Sequence, residues 1–129
     1  MRKTVVCCAM TLVLVGVSLA AASAPALRRS SDISIKGEVV DLPCYEGKGG
    51  ARGEGHKSCA LSCAKKGNQL AIVEDGTNAI YAITGDYSGN KNAKLIPFVA
   101  EMVEVKGSVS EKDGKKFIVI SSIKKSEMK

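Results

Sequence analysis

Tryptophan is absent from this chain, and the other aromatics amount to three tyrosines and two phenylalanines in 129 residues. A core must therefore be built from Ile, Val, Leu and Ala, and a small core of that kind gains from a covalent or metal staple. The same scarcity argues against a nucleic-acid platform. Base stacking needs exposed rings, and Tyr45, Tyr81, Tyr87, Phe98 and Phe117 are the whole supply, several of them wanted in the core. Basic residues outnumber acidic ones by 19 to 13, but they are scattered rather than blocked and read as a solvated surface. Catalytic motifs are missing as well. The run Gly47-Lys48-Gly49-Gly50-Ala51-Arg52-Gly53 lacks the Gly-Lys-Ser/Thr ending of a phosphate loop. No spacing supports a Ser-His-Asp set, and there is no Cys-x2-Cys-His for covalent haem. The paired acids Glu74/Asp75 and Glu101/Glu104 read as turn and strand surface. The chain is expected not to be an enzyme, with thiol redox chemistry as the minor exception.

What the sequence does carry begins at its N-terminus. Arg2 and Lys3 precede an uncharged apolar stretch from Val5 to Val17, and Ser18 to Ala24 is almost wholly Ala and Ser. That order is the one a secretory signal requires, so residues 1–24 are expected to be a signal peptide and the mature protein periplasmic or secreted. Ala22-Ser23-Ala24 fits the small-x-small cleavage rule; Pro25 directly after it makes cleavage following Ala20 or Ala22 an equal option. The alternative is an uncleaved anchor, since the apolar stretch approaches the roughly 18 residues that span a bilayer. Its Ala, Ser, Gly and Cys content favours a signal, and no stable membrane anchor is expected after processing. About 105 residues then remain, enough for one small domain.

Cleavage also removes Cys7 and Cys8, leaving Cys44, Cys59 and Cys63. An odd number of cysteines in an oxidising compartment implies a metal ligand, a reactive thiol or an intermolecular bridge.

Residues 25–32 read as a flexible mature N-terminus. Ile33, Ile35, Gly37 and Val39 then alternate with polar residues, predicting a strand to about Leu42 that Pro43 ends. Glu46 to Gly55 holds five glycines in ten residues and predicts a mobile loop without regular structure. A short helix is expected over 56–66, with Gly67 as its C-terminal cap. Strands follow at 69–73 and 79–84, joined through Asp75-Gly76. Residues 86–94 predict a loop with one helical turn. A final hairpin comprises 102–109 and 116–123, turning at Glu111 to Gly114. Five short strands in this order predict a mainly β fold, a small five-stranded OB-like barrel over 33–124 with a Cys-bearing helix between strands 1 and 2 and a polar tail at 125–129. An open five-stranded sandwich gives nearly the same pattern. Gly37 and Gly107 suit points where a barrel strand bends sharply.

The chemistry lies between the first two strands, as Cys44-x11-His56-x2-Cys59-x3-Cys63. Cys3His is a standard zinc set, and thiolate-rich sites also take copper(I). On a helix starting near His56, the three downstream residues fall within roughly a 60° arc, and Cys59 and Cys63 stand about 6 Å apart at Cα. His56 and Cys63 are about 10.5 Å apart along such a helix, so His56 must lie just before it and fold back. Cys44 arrives from the first strand on the glycine tether. Asp41 is a substitute oxygen ligand, or an acceptor for the imidazole N–H. The rival reading pairs Cys44 with Cys59 or Cys63 in a disulfide contributing roughly 3 kcal/mol, leaving the third thiol and His56 without a role. Alone in a glycine loop, His56 is equally readable as a surface residue.

Two functions follow. One is an exported metal-binding protein holding zinc or copper, or an iron centre, through Cys44, His56, Cys59 and Cys63. The other is a disulfide-stapled binding module whose barrel face recognises a peptide, glycan or protein. Nucleic acid is excluded as partner in both, since export removes the usual target.

The run Gly37-Glu38-Val39-Val40-Asp41-Leu42-Pro43-Cys44 and the later His56-Lys57-Ser58-Cys59-Ala60-Leu61-Ser62-Cys63 resemble small exported bacterial proteins of an uncharacterised family, which carry a Gly-x3-Asp-x2-Cys strand and a His-x2-Cys-x3-Cys helix. The resemblance spans nearly the whole mature chain. It implies a bacterial source and that the four Cys and His residues belong together, and it implies no activity.

Overall fold

Strict alternation builds the first strand, β1 (Ser31–Asp41), which places Ile33, Ile35, Gly37 and Val39 toward the interior. The computed structural model describes residues 31–127; the expected signal peptide and its cleavage sites, residues 25–30 and the last two residues lie outside the described residues. Four further strands follow: β2 (Leu70–Glu74), β3 (Ile80–Thr84), β4 (Met102–Lys112) and β5 (Lys115–Lys125). They close into a ring in the order β1-β2-β3-β5-β4, with β3 and β5 parallel and every other pair antiparallel. This is the expected OB-like barrel, with the Cys-bearing helix between strands 1 and 2.

β1 serves two neighbours. Its first part pairs with β4, from Ser31 opposite Val109 to Glu38 opposite Met102, and its end pairs with β2, from Gly37 opposite Glu74 to Asp41 opposite Leu70. Gly37 sits where the strand passes from one partner to the other, and a Cβ there would collide with the Val73 carbonyl oxygen. Gly107 sits at the register shift between β4 and β5, where a Cβ would collide with the Val119 carbonyl oxygen. Both glycines let backbones approach where the sheet coils tightly.

The interior is aliphatic: Ile35, Val39, Leu70, Ile72, Ile83, Leu95, Val99, Val103, Val105 and Ile118 are buried, and Tyr81 is the one aromatic among the buried core residues. A smaller outer cluster of Val40, Ala71 and Val73 lies under Leu42, Tyr45 and Ile80, which is why β2 is buried on both faces. Among the described residues no helix is long and apolar enough to cross a membrane.

Three expectations are corrected. Ser31 and Asp32 belong to β1, paired with Val109 and Ser108, rather than to a flexible N-terminus. Lys125 belongs to β5, opposite Val103, and Ser126 N–H donates to the Met102 carbonyl, so the tail starts later than 125. The glycine-rich segment is not irregular throughout: it opens with a helix, α1 (Leu42–Gly47), and closes with a 3-10 turn at Glu54–His56.

Candidate metal centre

Asp41 starts the site by ending β1. Its backbone is still extended, and its Oδ2 accepts a hydrogen bond from the Cys44 backbone N–H at 3.1 Å, so it caps α1. Pro43 suits this first turn because its missing N–H has no partner to lose there. Leu42 N–H donates to the Gln69 carbonyl at 2.9 Å, tying α1 to the start of β2. Cys44 is thus held on one turn of helix directly beyond the barrel wall, rather than on a slack tether.

The connection to the next ligand-bearing segment is also tied down. Lys48 N–H donates to the Cys44 carbonyl, Gly50 N–H to the Tyr45 carbonyl and Gly53 N–H to Glu38 Oε1. Gly53 has φ of +84°, a left-handed angle that glycine adopts without strain. The chain then enters α2 (Lys57–Lys65) with His56 at its N-cap position, one residue later than the sequence suggests.

α2 buries Ala60 and Ala64 in the barrel core, small side chains that let the helix approach closely. Cys59 and Cys63, one turn apart, precede those alanines by one residue each and are half-buried. Two anchors hold the helix ends. Lys57 Nζ lies 2.6 Å from Glu101 Oε1, which Lys125 also approaches at 3.6 Å, and the two ammonium groups hold the Glu101 carboxyl below its usual range. At the other end Gly67, with φ of +93°, donates to the Ala64 carbonyl, and Asn68 N–H donates to that of Cys63.

The result brings Cys44, Cys59 and Cys63 together, with their sulfurs all within 4.8 Å of one another. All three are free thiols, and the disulfide that the sequence allowed is not formed. Three sulfurs around one zinc ion at about 2.3 Å stand about 3.8 Å apart, so small side-chain rotations close the triangle. The donor set therefore fits a thiophilic ion.

His56 stands outside the sulfur triangle. It is half-buried, its Nε2 is buried without a hydrogen-bond partner, and it lines a small cavity shared with Asp41, Cys44, Ala51, Arg52 and Ala60. Asp41 is 2% exposed, and its Oδ1 is likewise buried without a partner. The expected four-ligand constellation is thus three parts assembled, with His56 adjacent.

The electrostatics favour a cation. The Asp41 carboxylate beside Cys44, its burial and the neighbouring Cys59 push the Cys44 thiol up to about 12 from an ordinary value near 9. Surroundings that repel a second negative charge attract a positive one, so an ion that displaces the thiol proton reverses the balance.

On the other side of α1 lies an open groove of about 320 Å³, floored by Leu42, Ile80 and Ala82 and flanked by Glu46, Lys115 and Lys116. No residue of the Cys and His motif reaches it, and sequence reasoning did not single it out. Comparison with protein-family models, curated proteins and solved structures finds no match to this chain.

Proposed function

We propose that the protein is an exported metal-binding protein whose ion is held by the thiolates of Cys44, Cys59 and Cys63, with His56 as the fourth ligand for zinc. Copper(I) needs only the three thiolates. The observation that carries this reading is the sulfur triangle, assembled from two separately anchored helices. Thiols crowded to this degree beside a buried carboxylate gain little as a structural device unless an ion or a bond joins them. The resemblance to small exported bacterial proteins and the signal-like N-terminus supply the compartment. In that compartment the site stores, delivers or is stabilised by its ion, and no enzymatic step is assigned to it.

Isolation from the periplasm under mild conditions, followed by elemental analysis and thiol titration, tests the proposal. One zinc or copper per chain is expected, with three thiols protected until a chelator is added. A metal-free protein with one disulfide and one free thiol overturns it. Cytoplasmic production is a poor source for this measurement, because zinc fills vacant thiolates readily.

The groove beside α1 supports a second reading, a binding module. Its apolar floor with an acid on one flank and two lysines on another suits a small amphipathic ligand or a peptide side chain.

A further inference from the structure

The buried polar side-chain atoms that lack a hydrogen-bond partner, among the described residues, are Asp41 Oδ1 and His56 Nε2. They are not scattered. Both residues line one cavity, which has room for about one water molecule, together with Glu38, Arg52 and Cys44. A buried polar group without a partner is costly, and a charged one more so, and two such atoms on residues that line one cavity call for a common explanation.

The chemistry of the two atoms supplies it. A carboxylate oxygen only accepts, whereas an imidazole nitrogen either donates or accepts according to which nitrogen carries the proton. The negative charge of Asp41 favours an N–H dipole pointing toward it over a lone pair; a bridging water can donate to both atoms, so this selection is electrostatic rather than a requirement of hydrogen-bond pairing. Asp41 cannot turn away to solvent, because it is buried and its Oδ2 is committed to the Cys44 N–H. The imidazole therefore adapts to the carboxylate.

We infer that Asp41 is a positioning residue that holds His56 as the Nε2–H tautomer through its Oδ1 while holding Cys44 through its Oδ2. The lone pair is then left on Nδ1, which becomes the only imidazole atom able to meet an ion. A single carboxylate thereby links the helix carrying Cys44 to the segment carrying His56, Cys59 and Cys63. Such a carboxylate–histidine pair orients the ring and raises its donor strength toward a metal. The use of Nδ1 as a ligand rests on the metal-binding proposal; the Asp41–His56 link does not.

The test uses metal-free protein labelled with ¹⁵N-histidine, at a pH where the imidazole is neutral, and reads the protonation of each ring nitrogen by NMR. The wild type and Arg52→Ala, which removes the cationic side chain lining the cavity and leaves Glu38 in place, are expected to carry the proton on Nε2. Asp41→Asn keeps an oxygen for the Cys44 cap but brings an NH2 group to the cavity, and is expected to lose or reverse the preference. Asp41→Ser, an N-cap residue too short to reach His56, serves if the first variant fails to fold. An Nδ1–H tautomer in the wild type overturns the inference, as does a tautomer that both Asp41 variants leave unchanged. Zinc titration adds a second readout, with Asp41→Asn expected to bind about 10–100-fold more weakly than the wild type. Wild-type protein that takes up no ion would sink the metal reading and still leave the tautomer result to decide this one.

Discussion

Asn92 holds the C-terminal end of α2 through Ala64, whose carbonyl accepts from the Asn92 amide at 3.0 Å. The same amide reaches the Asn68 carbonyl at 2.9 Å. Asn92 is 2% exposed and has φ of +59°, an angle asparagine tolerates better than most residues. One buried side chain thus secures the turn that follows Cys63.

Replacing Asn92 by alanine removes both bonds, takes the amide donor from the Asn68 carbonyl while the Ala64 carbonyl keeps the Gly67 N–H, and puts at φ of +59° a residue that tolerates this angle less well than asparagine. We expect a loss of about 2–3 kcal/mol in urea unfolding. Asn92→Asp, nearly identical in shape, should fare no better, since it aims acceptors at acceptors. A change below about 0.5 kcal/mol in both variants would show that α2 does not depend on this anchor.

The barrel makes a sharper demand at two glycines. Gly37→Ala and Gly107→Ala each drive a methyl group against a neighbouring strand's carbonyl, and backbone cannot yield as a side-chain tip does. Each should cost about 3 kcal/mol. Gly47→Ala, at a helical position with nothing within 4 Å, is the control and should be neutral or slightly stabilising. Thermal melts of the three variants side by side read the contrast.

Cys44 makes the metal-free protein sensitive to alkali. Its folded value, about 12, lies above its ordinary one near 9, so the fold holds this proton more tightly than the unfolded chain does. The contribution is full below pH 9 and is lost as pH rises from there toward 12. Denaturant unfolding between pH 8 and pH 10.5 should show stability falling, and Cys44→Ser should flatten the fall. Alkylation at pH 8 should also reach Cys44 more slowly than it reaches a model thiol. Equal slopes in both proteins would remove Cys44 as the cause.

Much of the fold is legible because β1, β4 and β5 alternate and the hairpins carry Asp-Gly or Lys-Asp-Gly turns. Gly37 and Gly107 were readable as bends for the same reason: little else explains a glycine in such a strand. α1 is hidden in the sequence because Pro43 reads as the end of a strand and is also a helix opener. Asp41, two residues before it, was the cap that marked the start. The glycine-rich segment misled through composition; its order comes from Glu38 and from backbone partners that no local window contains. At the site, the helical spacing of Cys59 and Cys63 was enough to pair them. The placement of Cys44 was not, because it depends on where β1 ends against β2. Nor was the position of His56 beside the triangle rather than in it.

The closed ring has a consequence for recognition. Each of the five strands has a hydrogen-bonded neighbour on both sides, so no strand of the ring is unpaired along the whole of one edge. A partner that reads side chains is better served by such a ring than one that adds a strand. The same closure protects a chain that would otherwise present bare backbone to its neighbours, and it leaves the half-buried thiols at the barrel's end as the most distinctive surface it offers.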